Sequence, residues 1–236
     1  MSEDASPALS VVIPVRNGER HLAATIESVL AEQFDTVEIL VVDDGSTDRS
    51  AEIAESFGDP VRCLRGEAKG VAAARNVGWT AARARFVIHL DADDLVVPGS
   101  ISLRMAVLEA NPDVDIVTGC FQSFFSPELD AETRAGLTLP EGSRRGHLAG
   151  ASIVRTDLFG RIGPLNETWR VSADMDWYAR ATEAGIRIVA LSDVVLHRRI
   201  HGKNLSLTSG NEQIDRVRIV KAALDRRRAA ALKPPT

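Results

Sequence analysis

Along the first ninety positions, apolar residues fall alternately into short continuous runs and helix-spaced stripes. The run Leu9 to Pro14 has the pattern of a strand buried on both faces, and Arg16-Asn17-Gly18 turns the chain after it. Between Glu19 and Gln33, Leu22, Ile26, Val29 and Leu30 recur at i, i+4, i+7 and i+8, one face of an amphipathic helix. Val37 to Val42 predicts a second strand, followed by Asp43-Asp44-Gly45-Ser46-Thr47-Asp48. Ser46 or Thr47 is expected to cap a helix running to Phe57. Val61 to Leu64 predicts a third strand, Gly70 to Ala82 an alanine-rich helix, and Arg85 to Leu90 a fourth strand. Strand and helix alternate with short connections, the pattern of a parallel sheet with helices on both faces.

The pattern continues less regularly. Pro98 opens a helix with Ile101, Met105 and Leu108 on one face, closed by Asn111-Pro112. Val114 to Cys120 reads as a strand, Phe121 to His147 as a hairpin or loop excursion, and Ile153 to Ile162 as a short helix. Asp174 to Ala184 is helical with Gly185 as its C-cap, and Ile186 to Leu191 and Val194 to Arg199 are two further strands. A final helix, Asn211 to Ala231, is expected to turn Ile214, Val217, Val220 and Leu224 inward and Arg226-Arg227-Arg228 outward; residues 233–236 read as a disordered tail. With no internal repeat and no linker composition, residues 1–236 read as one domain, divided at about 95 and 207 into two halves and a terminal helix.

Composition narrows the classes. A net charge of −5 argues against a general nucleic-acid binder, which needs a basic footprint. Two cysteines, Cys63 and Cys120, do not make a disulfide framework, and a reducing, cytoplasmic setting follows. There is no apolar run long enough to span a membrane, and Met1 to Pro7 is unlike a signal peptide. The basic final helix reads first as a solvated face; peripheral contact with an anionic membrane or a partner chain stays open, as does the oligomeric state.

The candidate chemistry collects at strand ends. In an open α/β sheet ligands bind beyond the carboxyl ends of the strands, where Pro14, Asp43-Asp44 and Asp91-Ala92-Asp93-Asp94 stand. A buried strand ending in three carboxylates needs a counter-charge, and magnesium or manganese takes one or two carboxylates together with substrate phosphates. Lys69 and Arg75 supply cations nearby in sequence, Asp174 and Asp176 open a helix, and His197 and His201 lie in a basic segment with metal-ligating capacity.

These blocks together resemble the inverting, family 2 nucleotide-sugar glycosyltransferases of GT-A fold. The resemblance is carried by Val11-Val12-Ile13-Pro14-Val15-Arg16-Asn17, Val41 to Asp48, Ala74-Arg75-Asn76-Val77-Gly78, Leu90-Asp91-Ala92-Asp93-Asp94, Asp174-Met175-Asp176-Trp177 and His201-Gly202-Lys203-Asn204-Leu205-Ser206. It covers residues 8–207 and implies an α/β fold of GT-A type, a Rossmann-like, mostly parallel sheet with helices on both faces and a smaller acceptor-side sheet. It further implies a nucleoside-diphosphate sugar, with a UDP-sugar expected, held by Pro14, Val15, Asn17, Asp43, Asp44, Lys69, Arg75, Asp91, Ala92 and Asp93. Mn2+ or Mg2+ would bind Asp93 with His201 or His197, Asp174 would be the catalytic base, and Asp94, Asp176 and Trp177 would support the base or the acceptor. The acceptor, whether small molecule, peptide, glycan or lipid-linked, is not implied. Ala173 stands where the family commonly has glutamate, so the competing reading is a nucleotide-sugar-binding module without catalysis.

Overall fold

The computed structural model describes residues 6–32, 34, 36–146, 149–169, 172–202, 204 and 212–231. Four parallel strands form its first part: β1 (Leu9–Val15), β2 (Val37–Asp43), β3 (Val61–Arg65) and β4 (Phe86–His89), in the order β3-β2-β1-β4. Their connections are the helices α1 (Leu22–Leu30), α2 (Ser50–Ser56) and α3 (Val71–Ala81). The continuous runs form strands because both faces are covered. Val11, Ile13, Ile39 and Ile88 pack in one cluster with α1, and Val12, Leu40 and Val87 in another with α3. Helix α3 lies tight on the sheet at Gly78, where an added Cβ would come within 2.2 Å of Val12 Cγ1.

The second part continues the same sheet. After β5 (Leu95–Val96) and α4 (Ser100–Ala110) come β6 (Ile116–Phe125), α5 (Ala131–Ala135), β7 (Ser143–Arg145), a 3-10 turn and β8 (Ser152–Arg155). Helices α6 (Leu158–Ile162) and α7 (Ala173–Glu183), strand β9 (Ile188–Ile200) and helix α8 (Glu212–Ala231) complete the order. The sheet runs β3-β2-β1-β4-β8-β6-β9-β5, with β7 paired to β6; β8 joins β4 and β6 antiparallel, while β9 runs parallel to β6.

Several local expectations change. Residues 153–155, expected to open a helix, belong instead to β8 because Ser152, Ile153 and Val154 are buried between β4 and β6; the helix begins only at Leu158. The two expected late strands are a single strand, β9, whose pairing with β6 shifts register near Gly119 and Cys120. The excursion after Phe121 begins as strand, since β6 runs to Phe125 beside β9. Ser46 and Thr47 do not cap α2: Ser46 Oγ accepts from Asn17 N–H, and Asp48 accepts from Ser50 N–H instead. In α8, Val217, Val220 and Leu224 are exposed, whereas Asp215 and Ile219 are buried. Arg226 reaches back to Glu183 and Asp176 of α7 at 2.7 and 3.4 Å, so that ion pair and Ile219 set the helix's rotation. The Ile214 side chain and the tail 233–236 lie outside the described residues. No helix among them is long and apolar enough to cross a membrane.

Candidate active site

The turn after β4 meets two partners from distant parts of the chain. On one side is Arg75, buried in α3, which donates from Nη2 to Asp91 Oδ1 at 2.6 Å. Its Nη1 lies 3.6 Å from Asp174 Oδ1 in the first turn of α7, so one guanidinium faces both carboxylates. Half of the Asp91 side chain is open to solvent. Its dense surroundings nonetheless push the carboxyl's pKa up, with the Asp93 and Asp174 charges, against the pull of Arg75.

On the other side, His201 Nε2 lies 2.8 Å from Asp93 Oδ2, and Asn204 donates to the same oxygen at 3.0 Å. Asn204 is fixed in turn: its Oδ1 accepts from His201 N–H and its Nδ2 donates to Arg199 O. Arg199 N–H donates to Asp94 Oδ1 and Arg199 Nε to the Asp93 carbonyl, so the end of β9 is tied to the acidic turn by side chain and backbone. Burial, together with the Asp93 and Asp91 charges, holds the Asp94 carboxyl well above the ordinary carboxylate range.

The model of glycosyl transferase family 2 matches residues 10–165. The chain belongs to this family. Glycosyltransferase GlyG of Streptococcus pneumoniae serotype 4 is 35% identical over 123 residues, half of this chain and 40% of that protein. The chain therefore spans about two fifths of that curated relative's length. Among solved structures, TarS 1-349 of S. aureus in complex with UDP-GlcNAc superposes with a TM-score of 0.74 at 20% identity, over 91% of this chain and 65% of that one. Mannosyltransferase PcManGT of Pyrobaculum calidifontis, in complex with GDP-Man and Mn2+, gives 0.67 at 18% identity over 98% and 66%. At such identities these two establish the fold, an α/β architecture of GT-A type.

Around this family 2 centre the other candidate residues take distinct places. Asp43 and Asp44 are buried at the end of β2. Asp43 accepts from Ser46 N–H and from Arg65 at 3.0 Å, and Asp44 accepts from the N–H groups of Lys69 and Gly70, which pins the 66–70 loop against the sheet. Asn17, in left-handed conformation at φ 54°, accepts from Thr47 N–H and laces the turns after β1 and β2 together. Pro14 and Val15 end β1, while the Lys69 ammonium pairs with Glu67 at the surface. The Ala92 carbonyl accepts from Thr25 of α1.

His197 lies on β9 with its ring edge-on to Phe124, whereas the imidazole that meets Asp93 is that of His201. Asp176 is buried and binds Arg180 and Arg226, and Trp177 packs on Trp79 and donates to the Gly163 carbonyl. Both support the seat of α7. Ala173 is in the same apolar cluster as Trp177 and Ala181, so the position is part of the core.

Asn204 belongs to the His201 to Ser206 block and Arg199 to the basic segment before it, but neither carried an assigned role, and His21 was not singled out from sequence. The His21 ring stands 5.0 Å from that of His201 with Nε2 3.5 Å from Glu128, and burial, then Arg199 and His201, lower its pKa. A histidine opening an amphipathic helix carries no signal by itself, and only the fold sets it beside the acidic turn.

A divalent ion suits the donor set at Asp93 and His201, one carboxylate oxygen and one imidazole nitrogen. Among the described residues no third histidine, cysteine or carboxylate joins them as a ligand.

Proposed function

We propose that this chain is the catalytic part of a metal-dependent, inverting glycosyltransferase, moving a sugar from a nucleoside diphosphate to an acceptor hydroxyl. The observation that carries the reading is the pairing of Arg75 with Asp91 and Asp174, beside Asp93 and His201. Two carboxylates of the turn after β4, Asp91 and Asp93, and a third from the first turn of α7, Asp174, are thereby gathered around one guanidinium and one imidazole. UDP-GlcNAc in TarS supports a UDP-sugar as donor, and Mn2+ in PcManGT supports Mn2+ or Mg2+ as the ion.

In this reading Pro14, Val15, Asn17, Asp43 and Asp44, with the Lys69 loop, hold the nucleoside over the ends of β1 and β2. Asp91 and Ala92 position the ribose or sugar, and Asp93 with His201 would hold the metal, leaving His197 to the strand. The metal supplies Lewis-acid stabilisation of the leaving diphosphate. Asp174 accepts the proton of the acceptor hydroxyl as that oxygen bonds to the anomeric carbon. The carbon–oxygen bond to the diphosphate breaks on the opposite face, and its electron pair leaves with the nucleoside diphosphate. Arg75 keeps Asp174 oriented. The core position of Ala173 supports a working base over a binding module without catalysis, since a glutamate there would have no open face. The free thiols Cys63 and Cys120 fit a cytoplasmic setting.

A thermal-shift series with nucleoside diphosphates and nucleotide sugars, with and without Mn2+, tests the reading. A metal-dependent shift for one base is expected, and no shift with any nucleotide would overturn it.

A further inference from the structure

Behind Asp174, on the core side of α7, lies a cavity of about 30 Å3 between β4 and the helix, whose lining of apolar residues is joined by His89, Ser152, Asp174, Tyr178, Trp79 and Trp177. His89, Ser152, Asp174 and Tyr178 bring polar groups to it, while the two indole N–H groups donate to the Thr156 and Gly163 carbonyls. His89 occupies a strand position otherwise flanked by Val87, Ile88 and Leu90, all fully buried. Its ring stands edge-on to Trp79 at 5.1 Å, and its Nε2 is buried without a hydrogen-bond partner. Burial and the nearby Arg75 charge hold the imidazole neutral, with its pKa lowered to about 3. A second buried nitrogen without a partner, Arg75 Nε, belongs to the guanidinium that faces Asp174.

An orphaned imidazole nitrogen in a core is costly, so such atoms are almost always satisfied by protein or by ordered water. A cavity of this size exceeds the roughly 10–15 Å3 that one water requires. A buried water also needs two to four polar partners, and His89 Nε2, the Asp174 carboxylate and the Tyr178 hydroxyl, which hydrogen-bonds Ser152, are gathered here. An apolar residue at 89 would leave the rear of Asp174 against hydrocarbon.

We propose that this cavity is an internal water site and that His89, through that water, is a positioning residue for the base Asp174. The inference rests on the reading of Asp174 as base. The water bonds a carboxylate oxygen from behind, Arg75 holds the carboxylate from the side, and the remaining lone pair is directed to the acceptor. Because the imidazole stays neutral, it can accept from or donate to the water but adds no charge beside the base.

Two measurements test this on the full chain. With 15N-labelled histidine, the His89 ring protons should show Overhauser contacts to a long-lived water, and the His89 ring nitrogens should shift in Asp174→Asn. A ring with no such water contact overturns the site. In turnover assays His89→Leu should lower kcat about tenfold with KM for the donor unchanged, and His89→Gln should recover most of it. Parent kcat in a folded His89→Leu overturns the positioning role. If His89→Leu does not fold, a Gln variant with the tenfold loss does the same. Failure of the base reading is separate: Asp174→Asn would then transfer at the parent rate while still moving the His89 ring signals.

Discussion

Arg75 Nη2 donates to Asp91 at 2.6 Å while Arg75 Nη1 faces Asp174 at 3.6 Å, joining residues from α3, the β4 turn and α7. The planar fork matters, because a lysine would offer one point charge to two carboxylates. Arg75→Met should therefore destabilise the fold by roughly 3 kcal/mol and reduce transfer at least a hundredfold. Arg75→Lys should recover stability better than turnover. Urea unfolding and kcat/KM on the same variants separate the two.

Asp174 and Asp176 lie two residues apart but face different partners, so their removal should differ. Asp174→Asn should keep nucleotide affinity within about twofold and lower transfer by about 10²–10⁴. Asp176→Ala leaves Arg180 and Arg226 without their shared carboxylate and should lower stability by about 2 kcal/mol. Melting curves beside isothermal titration of nucleotide check both.

For the metal side, Asp93→Ala and His201→Ala should each abolish the part of nucleotide binding that depends on Mn2+, leaving the melting temperature within a few degrees. His197→Ala should leave it in place. Titration calorimetry with and without Mn2+ decides the assignment, and equal losses for both histidines would contradict it.

Glu38 sets a pH dependence away from the site. Burial works to raise its pKa, but bonds from Ser10 Oγ and Arg83 N–H, both 2.7 Å, and from Arg83 Nε outweigh it and hold the carboxyl low. A depressed folded value stabilises the protein above the unfolded carboxyl value of about 4.3, and the contribution is lost as pH falls through the folded one. Glu38→Gln should cost about 1–2 kcal/mol near pH 7, and the gap to the parent should shrink near pH 3. Urea midpoints at the two pH values measure it.

Strands β1 to β4 and helices α1 to α4 were legible in the sequence because continuous apolar runs and 3.6-residue stripes are local signals. The parts that were not legible depend on distant partners. Ser152 to Arg155 has no strand alternation, and only burial between β4 and β6 makes it β8. The rotation of α8 is set by Arg226 meeting Glu183 and Asp176, which outweighs the stripe of Val217, Val220 and Leu224. In the site, the acidic turn and Asp174 stood out by motif. Asn204 stood in a motif too, but its partner and that of Arg199 were not legible, since their bonds to Asp93 and Asp94 link residues more than a hundred positions apart.

The contact between Asp93 and His201 spans 108 residues of chain. During synthesis the acidic turn emerges long before its imidazole partner, so a nascent chain that has formed β1 to β4 still lacks the group that meets Asp93. In the proposed reading, metal-linked donor binding therefore requires β9 to have docked beside β6, which would make that binding a reporter of the correct seating of β9.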